Sequence, residues 1–258
     1  MTVSHRRGLS VALLVASSCL VAAGSLPAEA GEEPAIEPFA RQVLERMSGF
    51  LSSAERLTYD AVTETVDIAA DGLPVRLRTE AQVAVRRPDR LYVDIRSDEV
   101  HRRVTLDGGR IRLHDLLANA YAVTEAPGGV EETLDLLEGT LGVFVPLGEM
   151  VRRDPLSRVM EGVTALAYVG LEDVAGVPCH HVSARQADMA WEVWIEDGPR
   201  PVPRKLVFHF AEEGGTTTFT AFVEAWSFPA HLPDEAFAPP LGEGAREIPL
   251  REVPRGGK

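Results

Sequence analysis

Cysteine, basic charge and aromatic residues are all scarce in this chain, and each shortage excludes something. Its 258 residues hold two cysteines. Cys19 falls in a stretch that reads as a removable leader, which leaves Cys179 alone, so the mature fold has no internal disulfide and no multi-cysteine zinc set. Lys and Arg number 26 against 39 Asp and Glu, a formal net charge of −13. An acidic chain lacks the cationic footprint that nucleic acid requires. No HExxH, GxSxG, Walker loop or GxGxxG occurs, so the signatures of metalloproteases, α/β-hydrolases and nucleotide-binding folds are missing. Beyond the N-terminus no apolar run approaches membrane-spanning length.

The first thirty residues read as a signal peptide. Arg6 and Arg7 precede an apolar stretch from Leu9 to Ala23, and Ala28-Glu29-Ala30 is a small-x-small cleavage site, with Gly31 as the first mature residue. The apolar stretch is short and broken by Ser17, Ser18 and Gly24, which argues against a retained anchor. Lipidation at Cys19 is the minor alternative. It is disfavoured by Ala16 where a leucine is expected and by an apolar Leu-Val-Ala-Ala where a polar tether would follow. These features predict a periplasmic protein with a leader at 1–30, one domain at 31–250 and a disordered tail at 251–258. No transmembrane segment is expected in the mature chain.

What remains is rich in periodic pattern. Residues 35–54 carry Phe39, Val43, Leu44, Met47, Phe50 and Leu51 at three- and four-residue spacing, which predicts an amphipathic helix. From Leu57 the period becomes two. Strands are predicted at 57–68, 75–86, 91–96, 100–106, 110–113 and 120–124, with Asp107-Gly108-Gly109 as a hairpin turn. A helical interruption follows, in which Leu134, Leu137, Leu141 and Phe144 lie at helical spacing, with short helices at 147–152 and 155–160. Gly139 and Gly142 weaken its interior. Strands resume at 165–171, 177–185, 190–196, 205–211 and 216–226. This order predicts a mainly β (α+β) fold: a half-open, strongly curved antiparallel barrel of about eleven strands, with helices over the concave face.

Few residues suggest chemistry. Cys179-His180-His181 on a strand places Cys179 and His181 on one face, but zinc would need further ligands from elsewhere, and a buried structural cysteine is the simpler reading. The stretch Arg86-Arg-Pro-Asp-Arg90 reads as a tight turn with its arginines solvated at a hairpin end. It would set the register of Val83, Val85, Leu91 and Val93; an anion grip is the alternative. The aromatics are more informative. Trp191 shares strand parity with Met189 and Val193, Phe208 with Leu206 and Phe210, and Trp226 with Phe222; Trp194 takes the opposite face. These residues either pack one dry core or leave an apolar cavity under a mobile helical cover.

The segments "VRRPDRLYVDI", "LDGGRIRLHD", "GLEDVAGVPCHHV", "WEVWIEDGPRPVPRKLVF" and "LPDEAFAPPLGEGAREI", in that order, resemble a predicted periplasmic family of unknown function. That family is related to the LolA/LolB lipoprotein-carrier superfamily. The resemblance runs from about residue 35 to 250. It implies a half-open barrel with a helical lid, no cofactor, no catalysis, and a lipid, acyl chain or lipidated protein as partner. Relatives also include envelope-stress sensors, so an interaction module with a dry core and an envelope protein partner is the alternative. No functional residue of the carriers maps onto this chain. The cavity candidates are therefore Val83, Val93, Leu134, Leu137, Leu141, Phe144, Trp191, Phe208 and Trp226, with no catalytic and no metal-binding residue assigned.

Overall fold

The computed structural model describes residues 36–250 except 69–72, 144, 188 and 213–214. The leader, Cys19, the tail and Phe144 lie outside the described residues. The chain forms α1 (Pro38–Ser53), then the meander β1 (Arg56–Ile68), β2 (Pro74–Arg86), β3 (Arg90–Arg96), β4 (His101–Asp107), β5 (Arg110–Asp115) and β6 (Ala120–Glu125). After α2 (Val130–Gly139), a 3-10 turn at Gly148–Val151 and α3 (Pro155–Met160), a second meander follows. It comprises β7 (Ala165–Val174), β8 (Val177–Arg185), β9 (Met189–Glu196), β10 (Pro203–Glu212) and β11 (Gly215–Ser227). The strand order is β12-β6-β5-β4-β3-β2-β1-β11-β10-β9-β8-β7, where β12 (Arg246–Glu247) pairs parallel with β6 and every other pair of strands is antiparallel. The result is a curved, unclosed sheet with few helices, as the strand pattern predicts. The two-residue β12 adds a twelfth strand that period-two reading could not detect.

The alternation seen in the sequence becomes continuous rows across the sheet. Tyr59, Val83, Val93, Val104, Leu113 and Ala122 stand opposite one another on successive strands β1 to β6. On the other half Phe219, Phe208, Trp191, Ala184 and Leu166 do the same from β11 to β7. These rows lie on one face, and the helices cover it. α1 buries Val43, Leu44, Met47 and Leu51 against it. Each such side chain contributes about 1.5–3 kcal/mol of apolar burial. Phe39, placed in the same stripe by the sequence, instead stays exposed and meets Tyr168 edge-on at 4.7 Å. Glu37 ties the start of α1 to β7: its N–H donates to the Leu166 carbonyl at 2.9 Å, and its carboxylate accepts from the Tyr168 N–H at 2.7 Å.

α2 ends earlier than the leucine spacing predicts. Its last residue is Gly139, so Leu141 lies beyond it and Thr140 closes the helix. Glycine's low helix propensity at 139 and the left-handed Gly142 (φ 62°) account for the stop.

The RRPDR turn also differs from its reading. Arg86 pairs with Arg90, which leaves Arg87-Pro88-Asp89 as a three-residue connection with a cis Arg87–Pro88 bond. Arg87 is buried rather than solvated. Its guanidinium donates to the carbonyls of Ala54, Val151 (2.7 Å) and Arg152 (3.1 Å). It therefore rivets the end of α1 to the 148–151 turn. The Pro88 carbonyl accepts from Val130 N–H at 2.9 Å, docking the same loop on the start of α2. Arg86 donates to the Leu232 carbonyl, pairs with Asp234, and lies over the Phe237 ring at 5.3 Å. None of the three arginines is left free for an anion: Arg90 pairs with Asp89 and Asp107 at 3.0 Å.

Candidate functional site

Three cross-strand rows on β9, β10 and β11 build an apolar wall: Met189–Phe210–Thr217, Trp191–Phe208–Phe219 and Val193–Leu206–Ala221. Phe208 sits 6.0 Å from Phe219 and 6.2 Å from Phe210 between ring centroids. Facing this wall are Leu44 and Met47 of α1, Val159 of α3, and the irregular stretch that includes Val145, Leu147 and Met150. Between them lies a cavity of about 500 Å³. That volume is within the range of small-molecule sites, and so is the mostly apolar lining with a few polar groups.

Its polar lining residues are Thr65, Gln186, Thr217 and three charged side chains. Glu138 and Glu149 line the cavity together with Arg158. Behind them the buried Arg152 is held 2.9 Å from Glu149, 3.0 Å from Asp135 and 3.8 Å from Glu138. Burial, and then the nearby charge of Glu149, push the Glu138 carboxyl above the usual carboxylate range. Arg158 approaches Glu149 at 3.2 Å. The cavity thus has apolar walls and a carboxylate-bearing margin.

Of the sequence candidates, Trp191 and Phe208 line this cavity. Val83 and Val93 instead belong to the packed core, in the Tyr59 row. Leu134 and Leu137 are fully buried and hold α2 to the sheet, and Leu141 is buried beside them. Trp226 is also off the cavity: its ring stacks on Phe228, lies 4.8 Å from Tyr59, and its indole N–H donates to the Pro203 carbonyl at 2.8 Å. Phe144 lies outside the described residues. Sequence reasoning missed Leu44, Met47, Val145, Leu147, Met150 and Phe219. The parity of Met189, Val193, Leu206 and Phe210 with their aromatic neighbours was a usable signal for the sheet side. The 145–150 stretch, read only as the start of a short helix at 147–152, offered none.

The Cys-His-His stretch divides as its parity predicts. Cys179 is buried in a small cluster with Trp194 and Val207, and burial pushes its thiol up to about 11. It therefore remains a thiol at neutral pH and is a poor nucleophile. His181 stacks on Trp194 at 4.0 Å, with its ring nitrogens 3.0 Å from Glu172 and 2.8 Å from Glu192. His180 lies between the Tyr168 hydroxyl (3.0 Å) and Asp197 (3.2 Å). Among the described residues no group of three or more His, Cys, Asp or Glu is placed to hold a metal ion, and no helix is long and apolar enough to cross a membrane.

No curated protein matches the chain. Among solved structures, an uncharacterised conserved protein from Thermus thermophilus is similar at 13% identity, over 82% of this chain and 99% of that one, with a TM-score of 0.47. The lipoprotein LppX of Mycobacterium tuberculosis is similar at 14% identity, over 76% and 100%, with a TM-score of 0.49. The LolA superfamily protein NE2245 of Nitrosomonas europaea is similar at 12% identity, over 77% and 96%, with a TM-score of 0.38. The profile of the family described as predicted periplasmic protein (DUF2092) matches residues 40–251, and the chain belongs to this family of periplasmic proteins.

Proposed function

We propose that the protein is an exported, non-enzymatic binding protein that holds a lipid, an acyl chain or the acyl group of a lipidated partner. The observation that carries this reading is the cavity of about 500 Å³ walled by Trp191, Phe208, Phe210 and Phe219. Space of this size with aromatic walls gains free energy when an apolar chain replaces poorly bonded water. It supports the binding reading over a dry-core interaction module. A leader cleaved after Ala30 and a single binding domain to residue 250 complete the proposal.

The test is uptake of a fluorescent fatty acid by delipidated protein. Binding is expected to quench or transfer energy from Trp191, and Phe208→Glu, which sets a charge on the wall at a half-buried position, is expected to weaken uptake at least tenfold while leaving the melting transition cooperative. Well-folded wild-type protein that takes up no fatty acid would overturn the reading.

A further inference from the structure

The wall of the Trp191 cavity continues past the cavity itself. Trp191 on β9 stands opposite Phe208 on β10, Phe208 opposite Phe219 on β11, and Phe219 opposite Thr65 on β1. All four line the cavity, and β1 is the last strand of the row to do so. The row then takes one more step, from Thr65 to its cross-strand partner Leu77 on β2. Side chains directly opposite on paired strands are about 5 Å apart. Leu77 is 57% exposed. Val75, two residues along and on the same face, is 42% exposed.

The sheet topology explains why this corner is bare. β3 pairs with β2 only from Glu80 to Arg86, so Pro74–Thr79 have β1 on one side and, among the described residues, no strand on the other. The end of the β1–β2 pair therefore projects past β3 as a ledge. Arg76 and Arg78 alternate with the two apolar residues and take the opposite face, where Arg76 meets Glu64 at 2.6 Å. Single exposed apolar side chains are ordinary on any protein surface. These two differ because they extend an aromatic wall, on its own face and in its own register.

The dimensions give the ledge a use. Adjacent strands lie about 4.8 Å apart, so the three steps from β9 to β1 span roughly 14 Å and the fourth, to Leu77, roughly 19 Å. An acyl chain of an ordinary bilayer occupies half of the hydrocarbon core, about 15 Å. A chain laid across the strands from Trp191 thus reaches Thr65, and a longer one meets Leu77 next. From this register we infer that the binding site continues out of the cavity, over Thr65, onto the Leu77–Val75 ledge, and that its ligand is a long-chain lipid whose acyl chain outreaches the cavity and lies on that ledge. The inference rests on the binding reading above and adds to it the exit and the chain length.

The experiment sets lauric, myristic, palmitic and stearic acid in competition with a fluorescent fatty acid on the full, delipidated protein. Lauric acid is short enough to stay in the cavity, and stearic acid reaches the ledge. Each methylene resting on an open ledge gains about half of full burial, about twofold in affinity. The double variant Leu77→Ser, Val75→Ser removes both apolar side chains at exposed positions and adds no charge. It is expected to bind stearic acid at least about fivefold more weakly than the wild type and lauric acid equally well. A circular-dichroism melt checks the fold, and Leu77→Gln alone is read in the same way where the double variant melts early. Equal weakening for both acids, or none for either, overturns the inference while leaving the binding reading in place. Wild-type protein that binds none of the four acids overturns both.

Discussion

Replacing Arg87 by alanine is expected to destabilise the protein by about 3 kcal/mol. Three carbonyls, those of Ala54, Val151 and Arg152, share this one guanidinium in a buried setting. Each buried acceptor left without a donor costs about 1–3 kcal/mol, and hydrogen bonds from a charged donor lie at the upper end. Two effects reduce the sum. Burial pulls the Arg87 guanidinium below its usual range, so removing the charge relieves a desolvation cost, and water can reach part of the vacated space. The net loss corresponds to a melting-temperature drop of about 6–12 °C for a chain of this size. Urea unfolding measures it directly, with an unchanged slope if the unfolded state is unaffected. Arg87→Lys should recover only part of the loss, because one ammonium cannot present the planar fork that reaches three carbonyls. Arg87→Met separates the donors from the bulk: it fills the space and donates nothing. If Arg87→Met is as stable as the wild type, or if Arg87→Ala loses less than about 1 kcal/mol, the rivet is not a stabilising device and the argument fails. Fatty-acid uptake should fall along with stability, because Gly148 and Met150 of the riveted turn also line the cavity.

Two further outcomes follow from other buried groups. Tyr59→Phe removes the donor to the Pro146 carbonyl and is expected to cost about 1–2 kcal/mol in urea unfolding at any pH near neutrality; no loss would mean the chain at Pro146 is held by packing alone. Glu138 carries a carboxyl raised by burial and by Glu149, so its contribution to stability is present below about pH 4.5 and is lost as pH rises through its shifted value. Glu138→Gln is therefore expected to raise the urea midpoint at pH 7 and to leave it unchanged near pH 4, whereas a lower midpoint at pH 7 would show that its 3.8 Å approach to Arg152 dominates instead.

Much of the sheet was legible because burial on one face imposes a period of two on the sequence. Trp191 with Met189 and Val193, and Phe208 with Leu206 and Phe210, could be assigned to common faces from parity, and both sets line the cavity. Leu134 and Leu137 were equally legible as apolar positions, but their role was not. Helical spacing marks what a helix buries, and it does not say whether the buried surface meets a core or an empty space. They meet a core. Arg87 was misplaced for a related reason: an arginine in a turn looks solvated until the chain's distant carbonyls are known, and its partners come from as far as residue 152.

Local pattern and composition were enough for the compartment class, the strand alternation and the side of each strand that turns inward, because none of these depends on distant parts of the chain. The folded molecule was needed to set Trp191 opposite Phe208 and Phe208 opposite Phe219. It was needed equally to bring the 145–150 stretch over the other side. Register and cover are set by packing between residues far apart in the chain, and a cavity is the space such packing leaves unfilled, so no local pattern can announce it.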